Sequence, residues 1–241
     1  MEEAILAGNL VNTYYDFANG FDTEDSDDKT LVKKELSPNE IAACIAELYF
    51  LGIVSFAAVY LRADVNSAPL VALFLSGVLS SFIYTGGIGL KYIAFGDVLI
   101  LLTFGVLTTV FAYFIQTGEV SVNIIGYALP LALNTEAILH GNNTRDLESD
   151  RSAGAVTLAI LLGKQYACVL YCLLLMIPYA VLGILALSSS WTLFLPLVTV
   201  PLAVRLSSQC FRGDLVMIPQ KTAQLNLLFG LLYLTGLMTA A

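Results

Sequence analysis

The run YACVLYCLLLMIPYAVLGILAL, from Tyr166 to Leu187, holds 22 consecutive residues without one charged side chain. A helix needs about 20 predominantly apolar residues to cross the hydrocarbon core of a bilayer, so this stretch reads as a membrane span. Its neighbours repeat the pattern. Towards the C-terminus lie Trp191 to Leu206 and Leu225 to Ala240; towards the N-terminus lie Val120 to His140, Val98 to Thr117, Pro69 to Tyr84 and Ile41 to Leu61. Turn-forming breaks at Asn66-Ser67-Ala68-Pro69, Gly86-Gly87 and Ser188-Ser189-Ser190 separate them. Seven spans predict an all-α, multi-pass transmembrane helical bundle, a single domain over residues 1–241.

Composition agrees with a lipid solvent: 58% of residues are hydrophobic and 12% charged, with a mean hydropathy of +0.80, which excludes an ordinary soluble domain. The net charge of -8 is a poor guide to partners, because ten of the 19 acidic residues precede Ile41. No nucleic-acid partner is expected. The four cysteines, Cys44, Cys168, Cys172 and Cys210, show neither a disulfide framework nor metal-ligand spacing, and Cys168 and Cys172 read as packing residues one turn apart. No cleavable signal peptide is expected ahead of the polar start.

Alternating spans put every loop on one of two sides. The side of the N-terminal polar stretch collects Lys29, Lys33, Lys34, Lys91, Arg145, Arg151, Lys164, Arg205, Arg212 and Lys221, leaving only Arg62 opposite. The positive-inside rule makes that side cytosolic, and the Asn142-Asn143-Thr144 sequon is then discounted as a glycosylation site.

Two polar clusters fall on this side. Asn12 and Asp16 stand four residues apart and share a helix face, as do Asp146 and Asp150 within Asn142-Asn143-Thr144-Arg145-Asp146-Leu147-Glu148-Ser149-Asp150-Arg151. Crowded carboxylates resist ionisation unless a cation intervenes, so paired clusters suit a hard divalent ion. Mg²⁺ fits best, because it combines a few carboxylates with phosphate oxygens supplied by a substrate. One cluster alone reads as helix capping or a solvated interface; two of the same form favour a metal-diphosphate site. Of the acidic run that follows, Asp22 is expected to reach the ions, with Glu24, Asp25 and Asp27 solvated.

The departing phosphate also needs basic and hydroxyl groups. Lys91, Arg145, Arg151 and Lys164 are the candidates. Lys91 fits a phosphate contact and a snorkelling lysine equally; Arg145 and Arg151 fit phosphate contacts or a role holding the Asp residues. Tyr84 could bond the diphosphate, stack on a reactive cation, or be an interfacial tyrosine. Glu47 and Glu136 lie within predicted spans, which makes them functional suspects. His140, at a predicted helix end, is expected to be interfacial and receives no role.

The pattern Asn12-x-x-x-Asp16 with Gly20-x-Asp22, then Asp146-x-x-x-Asp150-Arg151 followed by Gly154-x-x-Thr157-Leu158, resembles the UbiA superfamily of membrane prenyltransferases. Tyr84-Thr85-Gly86-Gly87 through Lys91, with Gly96-Asp97, resembles the branch making menaquinones, and Asn134 to His140 its animal member. The resemblance implies nine helices around a cavity, so the seven spans here correspond to the third to ninth, with Met1 to Val11 a remnant of the second; an N-terminally truncated form is expected. The first Asp-rich motif and its loop then cover 12–40 and the second 142–165, both facing the cytosol. By resemblance Asn12, Asp16, Asp146 and Asp150 hold Mg²⁺, Asp22 and Asn142 assist, and Lys91 contacts phosphate; Asn143 belongs to the same substrate-binding set.

The implied reaction is electrophilic: diphosphate departs, and the allylic cation left in a dry cavity is attacked by an aromatic quinol, which then loses a proton. The branch implies geranylgeranyl diphosphate as donor and reduced menadione as acceptor, giving menaquinone-4, in endoplasmic reticulum or Golgi membrane, with mitochondria the alternative. Two other readings stand beside it. One is an isoprenoid-diphosphate-binding regulator partnered with sterol-synthesis enzymes; the other is a transporter, which would need midplane acids and an internal repeat that the sequence lacks.

Overall fold

The computed structural model describes residues 2–24, 26 and 28–240. The expected solvation of Asp25 and Asp27 falls outside the described residues; Glu24 is exposed. Nine helices follow one another among the described residues: α1 Glu2–Ala18, α2 Pro38–Arg62, α3 Ser67–Ile83, α4 Gly96–Thr117, α5 Val122–Arg145, the short α6 Leu147–Ser152, α7 Leu158–Ser188, α8 Trp191–Arg212 and α9 Ile218–Ala240. Six of them are long and apolar enough to cross a membrane, and α3 is a shorter apolar helix of 17 residues. These are the seven apolar runs of the sequence.

Local chemistry sets the helix ends. Ser37 and Glu40 form a reciprocal capping box ahead of α2, with Pro38 in the first turn where its missing N–H costs nothing. Asn66 caps α3 and Thr157 caps α7 through their side-chain oxygens. Leu101–Leu107 in α4 is wound as a π-helix. There α4 meets α5 so closely that a Cβ on Gly105 would lie 2.1 Å from that of Ala132, so only glycine fits. Gly163 leaves the helical region at φ 73° and kinks α7 five residues after its start.

The densest packing joins α5, α7, α8 and α9 around Tyr171, Leu175, Leu193, Leu206, Leu225 and Phe229, all fully buried. Buried hydroxyls find partners: Tyr171 with Thr222 at 2.6 Å and Tyr179 with Thr199 at 2.7 Å. The sulfurs of Cys168 and Cys210 lie 2.6 Å apart between α7 and α8, a pairing of distant cysteines that sequence spacing did not suggest. Phe50, Leu61, Ile184 and Leu187 are among many large apolar side chains left on the outer surface. In lipid this exposure is the native arrangement.

The segments read as loops are partly helical. Asn12 to Ala18 belong to α1, and of 142–165 only 146 and 153–157 lie outside helices. Helix α5 runs five residues past His140, to Arg145, because Gly141, Asn143 and Thr144 turn inward and are buried. A polar sequence facing a polar interior is invisible to hydropathy.

Candidate active site

The first Asp motif occupies the last turns of α1. Asp16 is 5% exposed and is fully engaged: Lys91 Nζ donates to Oδ2 at 2.6 Å and the Tyr92 hydroxyl to Oδ1 at 2.7 Å. Lys91 also donates to Asn12 Oδ1 at 3.2 Å, so one ammonium bridges both members of the motif. Lys91 and Tyr92 sit in a short 3₁₀ turn, Leu90–Tyr92, whose approach is set by Lys91 N–H donating to the Tyr84 carbonyl at 2.8 Å. Tyr92, stacked on Phe21 with ring centroids 4.5 Å apart, was not anticipated from sequence. A lone loop tyrosine carries no spacing signal.

The same turn ties the two motifs together. Val156 N–H donates to the Tyr92 carbonyl at 3.0 Å, in a parallel bridge pairing Ile93 with Val156, just beyond α6. The second motif is thereby drawn to the first. Asp146, at the junction of α5 and α6, receives a bidentate pair from Arg145, Nε and Nη2 each at 2.7 Å. Arg145 is thus paired with an Asp residue of the second motif.

Electrostatics place Asp22 and Asp150 in the same field. Burial, then the charges of Asp16 and Asp28, push the Asp22 carboxyl up to about 6, with Lys91 opposing. Burial, then Asp146, push Asp150 up to about 6, with Lys91 opposing, Asp16 adding to the rise and Arg145 opposing it. Both motifs thus act on Lys91 and on each other. Four Asp carboxylates converge where their mutual repulsion is only partly offset.

Beside them opens a cavity of about 410 Å³, within the usual range for organic ligands. Asn12, Tyr84, Lys91, Asn142 and Asn143 are among its polar lining, and Ile5, Leu99, Phe104, Leu107, Ile138 and Leu139 among its apolar lining. The arrangement suits a molecule with a charged head and a long apolar tail.

Other expected residues stand elsewhere. Lys164 is exposed in a separate cleft with Cys168, Cys210 and Arg212, because the Gly163 kink turns it away. Arg151 is half exposed and, among the described residues, pairs with Glu148 at 3.4 Å. Glu47 is exposed on α2. Glu136 is 3% exposed. His140 is a correction: it is fully buried in mid-helix rather than interfacial, with Nδ1 2.8 Å from Asp97 Oδ1 and Nε2 3.0 Å from the Ala167 carbonyl.

Residues 4–238 match the UbiA prenyltransferase family. The chain belongs to that family. Its similarity to UbiA prenyltransferase domain-containing protein 1 of Homo sapiens is 50% identity over 234 residues, covering 97% of this chain and 69% of the relative. The Danio rerio protein of that name is 51% identical over 234 residues, 97% of this chain and 70% of the relative. The homolog in Drosophila melanogaster is 47% identical over 232 residues, 95% of this chain and 64% of the relative. As a UbiA family member the chain is a membrane prenyltransferase, whose family implies isoprenoid diphosphate and aromatic substrates.

Proposed function

We propose that this protein transfers a geranylgeranyl group from its diphosphate to reduced menadione, giving menaquinone-4, with Mg²⁺ held by Asn12, Asp16, Asp146 and Asp150. The observation that carries this reading is a largely apolar cavity beside the first Asp motif, whose Asn12 and Asp16 are both held by the cavity-lining Lys91, with the second motif tied to the same turn through Val156 and Tyr92.

The donor set fits Mg²⁺: oxygen ligands only, and carboxyls at Asp22 and Asp150 raised to about 6 by burial and neighbouring charge, as crowded acids are when a cation is called for. Held by Asn12, Asp16, Asp146 and Asp150, Mg²⁺ would supply positive charge against the departing diphosphate. Lys91 donates to phosphate, and Asn142 and Asn143 orient the head group at the cavity wall. Arg145 keeps Asp146 aimed at the site through its bidentate pair. Tyr84 presents its ring beside the allylic carbon, and the apolar wall of Leu99, Phe104 and Leu139 excludes the water that would quench the cation. C–O cleavage releases diphosphate; the quinol ring forms the new C–C bond and loses its proton.

The one-sided distribution of lysine and arginine supports an orientation with both motifs towards the cytosol; endoplasmic reticulum or Golgi membrane, with mitochondria the alternative, follows from the family resemblance alone. A cysteine introduced beside Lys91 is expected to react with a membrane-impermeant reagent from the cytosolic side; labelling only from the lumen would reverse the topology. The reaction is tested by mass spectrometry of membranes given geranylgeranyl diphosphate, reduced menadione and Mg²⁺. Prenylated naphthoquinone supports the proposal; diphosphate binding without product would leave the regulatory reading.

A further inference from the structure

We propose that Asp97, Glu136 and His140 form a binding site for a divalent transition-metal ion of the Zn²⁺ class, separate from the two Asp motifs. Asp97 stands in the first turn of α4, while Glu136 and His140 are one turn apart on α5 and project from the same face. Their ligand atoms all lie within 4.8 Å of one another, and the three residues are 5%, 3% and 0% exposed. Ligands each about 2.1 Å from one ion stand about 3 to 4 Å apart, so a small contraction closes the set.

The hydrogen bonds point the same way. His140 Nε2 lies 3.0 Å from the Ala167 carbonyl, which can only accept, so Nε2 carries the hydrogen. In the neutral ring the Nδ1 lone pair then faces Asp97 Oδ1 at 2.8 Å, two acceptors with nothing between them. Asn143 Nδ2 donates to the other oxygen, Asp97 Oδ2, at 3.3 Å. Both ligands are therefore fixed from behind by outer partners, the arrangement that orients metal-bound histidine and carboxylate.

Glu136 supplies an independent sign. Neither of its carboxylate oxygens has a hydrogen-bond partner, although the residue is almost wholly buried against the other two. Among the described residues, no lysine or arginine pairs with Asp97 or Glu136. A protonated His140, 2.8 Å from Asp97, would balance that carboxylate and still leave Glu136 without a counter-charge among the described residues, whereas one divalent ion balances both. The imidazole in the donor set favours Zn²⁺ and its transition-metal neighbours over Mg²⁺.

The ion would join α4 directly to α5 and, through the Ala167 carbonyl, to α7. Leu99, Leu139 and Asn143, close in sequence to the ligands, line the cavity. Its role is to hold that wall in place.

The test uses the whole chain purified in detergent, stripped with EDTA, reloaded with Zn²⁺ and desalted, with metal content measured by plasma mass spectrometry and unfolding followed thermally. One Zn²⁺ per chain is expected, with a higher Tm in Zn²⁺ than in EDTA. Glu136→Gln, nearly isosteric, should bind Zn²⁺ at least tenfold more weakly and lose the Tm response, as should His140→Gln. Asp146→Asn should retain the Zn²⁺. The proposal is overturned if the folded wild-type chain retains no Zn²⁺, if the metal survives Glu136→Gln, or if Asp146→Asn releases it. A cluster balanced by protons would instead show a Tm indifferent to Zn²⁺ and EDTA, with Glu136→Gln at least as stable as wild type, which also overturns it.

Discussion

Lys91 and Asp16, 75 positions apart in sequence, meet as an ion pair of 2.6 Å in which the carboxylate is nearly buried and the ammonium one-quarter exposed. Among the described residues, Lys91→Ala leaves the Asp16 carboxylate with the Tyr92 hydroxyl as its side-chain partner. A fully buried pair broken on one side costs roughly 3–5 kcal/mol; exposure of Lys91 reduces this to about 2 kcal/mol. Transfer should fall about 100-fold or more, since Lys91 is also the proposed phosphate contact. Tyr92→Phe removes one hydrogen bond and should cost about 1–2 kcal/mol, with a milder loss of activity. Thermal unfolding in detergent and the KM for diphosphate, measured on both variants, check the difference.

The raised carboxyls of Asp22 and Asp150 predict a pH dependence with a definite sign. Their folded values of about 6 lie above the ordinary Asp value, so between roughly pH 4 and 6 the folded chain holds protons that the unfolded chain has released. In EDTA the contribution of these groups to stability is present below pH 4 and is lost as pH rises through 6. Mg²⁺ should abolish that loss above pH 6, and its apparent affinity should weaken as pH falls below 6, because the ion must displace protons. Melting temperatures from pH 4 to 8, with and without Mg²⁺, measure both trends.

Asp146→Asn removes a proposed metal ligand while keeping the shape of the side chain. Membrane insertion and size-exclusion behaviour should be unchanged, and prenyl transfer should fall by at least about 100-fold, the scale of losing one charge-stabilising group. Full activity in this variant would remove Asp146 from the metal site.

Gly105 lies against Ala132 where α4 and α5 cross, and both helices line the cavity. Gly105→Val forces the helices apart and should destabilise the chain by about 1–3 kcal/mol. The cavity wall moves with them, so residual transfer by folded protein should show a raised KM for the isoprenoid diphosphate. An unchanged melting temperature would show that the crossing is looser than the contact implies.

The sequence alone determined the helical membrane architecture, because span length and hydropathy are local properties. It determined the two Asp motifs for a related reason: Asn12 and Asp16, or Asp146 and Asp150, share a face through backbone periodicity whatever surrounds them. Only the tertiary structure decided which residues complete the site. Tyr92 reaches Asp16 because a loop hydrogen bond to Val156 fixes its turn, and Lys164 is turned aside by a kink at a glycine. His140 reads in sequence as the interfacial end of a span, with Asn142 and Asn143 in the motif loop beyond it, yet α5 continues through all three. Asp97, Glu136 and the Ala167 carbonyl come from three helices to enclose one buried cluster with His140. Burial and long-range charge pairing depend on how helices meet, and hydropathy along one helix contains no term for that.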